Sequence, residues 1–128
     1  MSNTLLIRIG TWLYSVVIAF FGINHFLNAN AMAGMVPSSV PGGVAWVYIT
    51  GTCLILAALS IISGRYTKLA CMLLALLLIF FVLIIHLPHA LSDDPNMKMM
   101  GMPNLLKDLS MAAGAMVIGG SSEALKGK

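Results

Sequence analysis

The residues of this chain best suited to chemistry end an apolar run, in the stretch IIHLPHALSDDP (residues 84–95). His86 and His89 are three positions apart, which places them on neighbouring turns of one helical face. Pro88 lies between them and has no backbone N–H to donate, so it predicts a kink in the helix. Such a kink would free carbonyl groups and widen this end of a helix bundle. The stretch therefore predicts a polar pocket at the end of an apolar helix.

If the apolar segments span a membrane, other polar and aromatic residues are expected at the same depth in it as His86 and His89. His25 ends the first apolar segment, and Lys107 with Asp108 begins the last. Each has a plain structural alternative: a histidine can cap or anchor a helix end, and a Lys-Asp pair can be a solvated helix start. Polar groups at membrane depth usually face a cavity or one another. The candidate residues for an outer pocket are His25, Trp46, Tyr48, His86, His89, Lys107 and Asp108.

A second candidate site is the methionine-rich stretch NMKMMGMP (residues 96–103). Thioether sulfur is a soft ligand that suits Cu(I), and histidine can complete such a site. The alternative is that flexible methionines rest on lipid or on another protein. The candidate copper ligands are Met99, Met102, His86 and His89.

The elements that must position these residues are membrane helices. Hydrophobic residues make up 59% of the 128 residues and charged residues only 9%, whereas soluble domains carry about 25% charged residues. Four apolar segments approach the roughly 20 residues that a spanning helix needs, at residues 5–27, 44–63, 69–87 and 105–120. The fourth is short, rich in Gly and Ala, and charged near its start. We predict a single domain over residues 1–128, an all-α integral membrane four-helix bundle.

The distribution of basic residues predicts the orientation of this bundle. The predicted inner side holds Arg8, Arg65, Lys68, Lys126 and Lys128, and the outer side holds Lys98 and Lys107. Basic residues favour the cytoplasmic side, so both termini are expected in the cytoplasm of a bacterial cell, with the bundle in its inner membrane. The net charge of +3 therefore reflects membrane orientation and gives no reason to expect nucleic-acid binding.

Four stretches resemble the DoxX family of small four-helix bacterial membrane proteins. They are FFGINHF, VPSSVPGGVAWVYITGTCLILAALSI, LACMLLALLLIFFVLIIHLPHAL and LLKDLSMAAGAMVIGG. The resemblance implies a role in membrane oxidoreductase assemblies, since the family is named after a subunit of a thiosulfate:quinone oxidoreductase. The positions that carry it are Gly22, His25, Phe26, Pro37, Pro41, Trp46, Tyr48, Gly51, His86, Pro88, Lys107, Asp108 and Gly114.

Three functions remain open at this point. The first is a quinone-interacting or accessory subunit of a membrane oxidoreductase; quinone is its expected cofactor, with copper or haem as alternatives, although the chain has no haem-attachment motif. The second is a non-enzymatic interaction or assembly factor that binds a membrane protein or a second copy of itself through small-residue helix faces. The third is copper handling at the outer face. Whether the protein is an enzyme is not determined by these residues.

Overall fold

Among the residues that the computed structural model describes, three helices are long and apolar enough to cross a membrane, one fewer than the four predicted. They are Asn3–Leu27, Val44–Ser63 and Thr67–Ala90. The structure describes residues 1–126, and side chains as far as Glu123. Within that range the secondary structure is helical, with no strand. Of the basic residues used to predict orientation, Lys128 lies outside the described residues, and Lys126 lies in a helix without a described side chain.

The first three helices begin and end at recognisable capping residues. Helix α1 (Asn3–Leu27) starts at Ser2, whose hydroxyl accepts a hydrogen bond from the N–H of Leu5 at 3.2 Å. A short helix, α2 (Ala29–Ala33), lies in the segment expected to be a loop. Helix α3 (Val44–Ser63) lies between Gly43 and Gly64, both at positive φ, a conformation that glycine adopts without steric cost. Its bounds coincide with the predicted segment 44–63.

The third apolar segment continues beyond its predicted end at residue 87 and changes its helical form. It comprises α4 (Thr67–Phe81), a π-helical segment (Val82–His86) and α5 (Leu87–Ala90). In the π segment the N–H of Leu87 donates to the carbonyl of Val82, five residues back. Pro88 has no N–H, and its ring crowds the carbonyl four residues earlier. The helix distortion predicted from Pro88 is therefore present as this wider π-helical turn.

Helix α6 (Pro95–Lys126) begins at Pro95, well before the predicted start at residue 105. The methionine-rich stretch is therefore helical, and its interpretation as a loop was wrong. Asp94 starts the helix, because its side chain accepts the N–H of Asn96 at 2.8 Å, and proline is favoured at the first helical position. Methionine is a good helix former, and the helix accommodates Pro103 in its interior.

The helices pack mainly as two pairs, α1 with α3 and α4 with α6. In the first pair, a Cβ placed on Gly51 would lie 2.8 Å from Cβ of His25 and 3.0 Å from the carbonyl of Gly22. Beyond the second pair, where α5 meets α6, a Cβ on Gly101 would lie 2.3 Å from the backbone nitrogen of Ala90. The contact between α3 and α4 is less extensive. Glycines therefore mark the closest helix approaches.

Small side chains fill much of the interior, and many large apolar side chains face outward. The buried core consists of Ile18, Leu54, Ala57, Ala58, Ile61, Cys71, Leu74, Ala75, Leu78, Ala112 and Ala115. Exposed residues include Trp12, Phe20 and Leu76. Such a large exposed apolar surface is typical of contact with lipid or protein.

The two ends of the bundle differ, and each is given a name. We call the end near Gly64–Tyr66 the turn end, and the end where α3 and α6 begin the cavity end.

Candidate functional site

A cavity of about 500 Å³ lies at the cavity end, with walls from α1, α3, α4, the π segment and α6. Apolar side chains such as Leu77, Phe80 and Ile84 form most of its lining. The polar side chains on the wall include Asn24, His25, Thr50, His86, Asn104, Lys107 and Asp108, together with the indole of Trp46 and the thiol of Cys53. A mostly apolar cavity of this size with a few convergent polar groups is the usual form of a small-molecule site.

A buried His-Asp pair forms the centre of the polar wall. Nε2 of His86 lies 2.9 Å from Oδ2 of Asp108, and the two residues are only 7% and 4% exposed. An ionised carboxylate can only accept hydrogen bonds, so Nε2 carries the proton. The other ring nitrogen, Nδ1, is buried and has no hydrogen-bond partner among the described residues. Buried polar atoms without partners are rare in proteins, so Nδ1 is the most unusual atom of the wall.

Lys107 balances the charge of this pair. Its ammonium lies 3.4 Å from Oδ1 of Asp108 and 4.6 Å from the centre of the Phe21 ring on α1. The aromatic face attracts the cation, so Lys107 joins α1 to α6 across the polar wall. Its side chain is partly exposed, which leaves donor hydrogens available to a molecule in the cavity.

His25 brings a second imidazole to the cavity from α1. Its Nδ1 donates to the carbonyl of Phe21 at 2.7 Å, one helical turn back. Since a carbonyl only accepts, the proton lies on Nδ1, and Nε2 has its lone pair free in the neutral ring. Among the described residues no protein partner contacts that nitrogen within hydrogen-bond distance. Gly51 on α3 permits the close approach that holds His25 in place.

The segment between α1 and α3 covers the cavity, and we call residues 28–43 the cover. Met32, Met35, Val36, Pro37 and Val40 contribute to the lining. The indole nitrogen of Trp46 donates to the carbonyl of Pro41 at 2.6 Å and ties the cover to α3. The chain from residue 26 to residue 64 contains no Asp, Glu, Lys, Arg or His. The cover is therefore held by apolar contacts and by hydrogen bonds between uncharged groups.

Five of the seven residues predicted for an outer pocket line the cavity: His25, Trp46, His86, Lys107 and Asp108. Tyr48 and His89 do not. Tyr48 packs against Phe26, with ring centres 5.5 Å apart. His89 lies in α5, three residues beyond His86, and is partly exposed. The two histidines therefore do not both contribute to the cavity wall.

The four predicted copper ligands are not gathered at the cavity. Met99 and Met102 are 71% and 49% exposed, and neither they nor His89 line it. Within residues 1–126 no group of three or more His, Cys, Asp or Glu side chains could hold a metal ion. The methionines that do line the cavity are Met32, Met35, Met100 and Met111, which had not been proposed as ligands.

Sequence reasoning also missed Asn104. It lies one helical turn before Asp108 and lines the same cavity as Met100 and Met111. Spacings of three, four and seven residues place side chains on one face of a helix. This periodicity would have found Asn104 if α6 had been predicted to begin before residue 105.

A family model for a domain of unknown function, DUF8561, matches residues 14–107. The chain belongs to this family. The resemblance to DoxX is therefore wrong, because the matching model is DUF8561 and no DoxX model matches. The residues that suggested DoxX have structural roles that other helix bundles also need: Gly22 and Gly51 permit a close crossing, and Pro88 accompanies the π segment. The matched part of this DUF8561 protein includes the cavity residues from His25 to Lys107.

No curated protein and no solved structure matches the DUF8561 chain.

Proposed function

We propose that this DUF8561 protein is an integral membrane protein that binds a small amphiphilic molecule in its cavity, with a quinone as the first candidate. The observation that carries the proposal is the buried His86–Asp108 pair on the wall of a mostly apolar cavity. An apolar tail would contact side chains such as Leu77 and Phe80, and a polar ring would reach Lys107. Burying two ionisable groups in an apolar bundle is costly, which favours a functional role for the pair.

Helix α6 would complete the membrane bundle as its fourth spanning helix. Its hydropathy is lowered by Lys107 and Asp108, but Asp108 is buried and Lys107 pairs with it. Its exposed large residues include Leu106, Met116 and Val117, which suit lipid contact. At 1.5 Å per residue, its 32 residues give a length of about 48 Å, compared with a hydrocarbon core of about 30 Å.

The basic residues favour an orientation with the turn end in the cytoplasm of a bacterial cell and the cavity at the outer face of the inner membrane. Single-cysteine variants would test this, in a background where Cys53 and Cys71 are replaced by alanine. A membrane-impermeant maleimide should label Asp93→Cys in intact cells and should label Arg65→Cys only after lysis. The opposite labelling pattern would reverse the orientation. Labelling of Asp93→Cys and Glu123→Cys from the same side would show that α6 does not span the membrane.

With a quinone bound, the protein would act as a quinone-binding or accessory subunit of a membrane oxidoreductase. Lys107 and Asn104 can donate hydrogen bonds to a ring oxygen, so these wall residues fit a quinone head. The quinone would supply the redox chemistry. This chain's own residues would position the ring and hold a proton at His86, and the electrons would be exchanged with a partner protein.

Thermal stabilisation of the detergent-purified protein by a decyl benzoquinone tests the binding. The wild type should unfold at a higher temperature with the quinone, and Asp108→Asn should lose most of that shift. Glu123→Gln is the matched control, because it alters a carboxylate of α6 that lies far from the cavity in an exposed pair with Lys68. No shift in the wild type, together with no quinone in native mass spectra of the protein extracted from membranes, would refute the quinone proposal.

A further inference from the structure

The hydrogen-bonding capacity of the polar wall restricts the chemistry of the ligand's head group. Two imidazole rings on the wall have one nitrogen already committed as a donor: Nε2 of His86 to Asp108, and Nδ1 of His25 to the carbonyl of Phe21. In a neutral imidazole the remaining nitrogen can only accept a hydrogen bond. Both rings therefore present an acceptor as their unused polar atom.

Charge balance supports the neutral form of His86. The carboxylate of Asp108 lies within 4 Å of both the Lys107 ammonium and the His86 ring. The charges of Lys107 and Asp108 already cancel. A positive charge on His86 would therefore leave the cluster of these three side chains with a net charge of +1. Uncompensated charge in an apolar environment costs far more than a neutral polar group. Nδ1 of His86 is consequently an unprotonated, buried acceptor without a partner among the described residues.

The remaining polar groups of the wall include a strong donor. Lys107 has only donor hydrogens, and Asn104 can donate through its amide nitrogen. The wall thus offers a group that can only donate at Lys107, acceptor nitrogens at the two histidines, and groups that can both donate and accept at Asn24, Thr50 and Asn104. A carbonyl or ether oxygen can accept from the donors but leaves both histidine acceptors unsatisfied. A hydroxyl group can accept and donate at once, so it complements both kinds of wall atom.

We infer that the cavity prefers an apolar molecule whose head carries a hydroxyl group, such as an alkyl phenol, a quinol or a long-chain alcohol, over the corresponding ether or quinone. This inference rests on the proposed function, because it specifies the ligand class of the same cavity. Nδ1 of His86 has almost no accessible surface, so the acceptor that a hydroxyl group in the cavity meets first is Nε2 of the partly buried His25.

A matched pair of probes tests the inference: decylphenol and its methyl ether, decylanisole. In the ether a methyl group replaces the hydroxyl hydrogen, so the oxygen can accept a hydrogen bond but cannot donate one. Equal amounts of the two are added to the purified protein, and native mass spectrometry measures the ratio of the two bound forms. Leaving an acceptor unsatisfied costs about 1–3 kcal/mol, which corresponds to a preference for decylphenol of roughly five-fold or more. A methyl ether that binds equally or better overturns the inference while leaving the proposed function intact.

Histidine variants locate the preference. His25→Phe and His86→Phe should each lower the bound phenol-to-ether ratio by several-fold, and His89→Phe is the matched control at the same end, because His89 does not line the cavity. Comparing ratios between variants removes the effect of probe partitioning into detergent. A ratio unchanged in both cavity variants overturns the inference. If His86→Phe fails to fold, the bound phenol-to-ether ratios of the wild type and of His25→Phe are sufficient to test the inference. Binding of neither probe also overturns the inference, whereas the proposed function is tested separately by the thermal shift with decyl benzoquinone.

Discussion

The two ends of the helix bundle are built differently, although the same four long helical segments form both. At the turn end, small side chains such as Cys71 and Ala115 are fully buried, and Gly119 brings α6 against α4. At the cavity end, the same helices diverge around a cavity of about 500 Å³ with polar groups on its wall. The ionic contact at the turn end, between Lys68 and Glu123, is on the surface, whereas at the cavity end Asp108 is buried and pairs with the partly exposed Lys107.

The two ends therefore have different roles: the turn end contributes close packing, and the cavity end contains the candidate binding site. Close packing of small residues holds helices together through dispersion contacts. The cavity end gives up some of that packing and instead contains polar groups that need specific partners. Glycines limit the loss, since Gly51 and Gly101 keep the helices in contact on either side of the cavity. The comparison can be tested by substitutions that affect one end and spare the other.

Removing the buried carboxylate should have the largest effect. Asp108→Ala leaves the His86 N–H and the Lys107 ammonium without their partner, and breaking a buried ion pair costs about 3–5 kcal/mol. The free energy of unfolding should fall by this amount in a denaturant titration in detergent. Glu123→Ala removes the exposed partner of Lys68 at the turn end and should cost less than about 1 kcal/mol. Similar losses in both variants would contradict the contrast between the two ends.

Adding one methyl group at the closest helix contact should have the next largest effect. In Gly101→Ala the new Cβ would meet the backbone nitrogen of Ala90 at 2.3 Å, so α5 and α6 must separate. Overpacking of this kind costs about 1–3 kcal/mol, measurable as a lower unfolding temperature. Gly120→Ala is the control: its Cβ meets nothing within 4 Å, and the gain in helix propensity should stabilise α6 by up to about 1 kcal/mol.

Enlarging a side chain should be tolerated at the cavity end and not at the turn end. Ala115→Leu inserts three carbon atoms into the closed core and should destabilise the protein by about 1–3 kcal/mol. Thr50→Leu instead projects apolar atoms at the cavity wall, so the unfolding free energy should change by less than about 1 kcal/mol. Its expected effect is weaker binding of decyl benzoquinone. Equal destabilisation by the two substitutions would indicate that the cavity cannot accommodate a larger side chain.

The smallest expected effect concerns the cover. Trp46→Phe keeps an aromatic ring but removes the hydrogen bond from the indole to the carbonyl of Pro41. One such bond contributes about 1 kcal/mol, so stability should change little. Bound probe should dissociate several-fold faster, as measured by dilution and rapid native mass spectrometry. Trp12→Phe, an exposed tryptophan outside the cavity, should leave the dissociation rate unchanged, and an equal acceleration there would rule out the cover as the cause.

Sequence patterns predicted the helical elements better than their ends. Residues 44–63 were predicted correctly because glycines at positive φ end both sides of α3. The start of α6 was missed because the fourth segment was bounded by its apolar residues, whereas Asp94 and Pro95 supply a helix start well before them. The pairing of α1 with α3 and of α4 with α6 depends on shape complementarity between faces, which periodicity alone does not contain.

The candidate site was predictable only in part. Shared depth brought His25, His86, Lys107 and Asp108 into one group, and they line one cavity. The hydrogen bond between His86 and Asp108 could not be foreseen, because it depends on which helices are neighbours. His89 was predicted to share the pocket with His86, but it lies three residues beyond it in α5 and does not line the cavity. Residue spacing gives the face of a helix on which a side chain lies, but not which neighbouring helices enclose that face.

The absence of charged residues and histidine between residues 26 and 64 has a consequence for access to the cavity. A cover without ions is neither attracted nor repelled by anionic lipid headgroups, and the membrane potential exerts no net force on it. Opening and closing should then be insensitive to ionic strength, since there is no Coulomb interaction on the cover for salt to screen. Bilayer thickness and lipid composition are the variables that remain able to act on it.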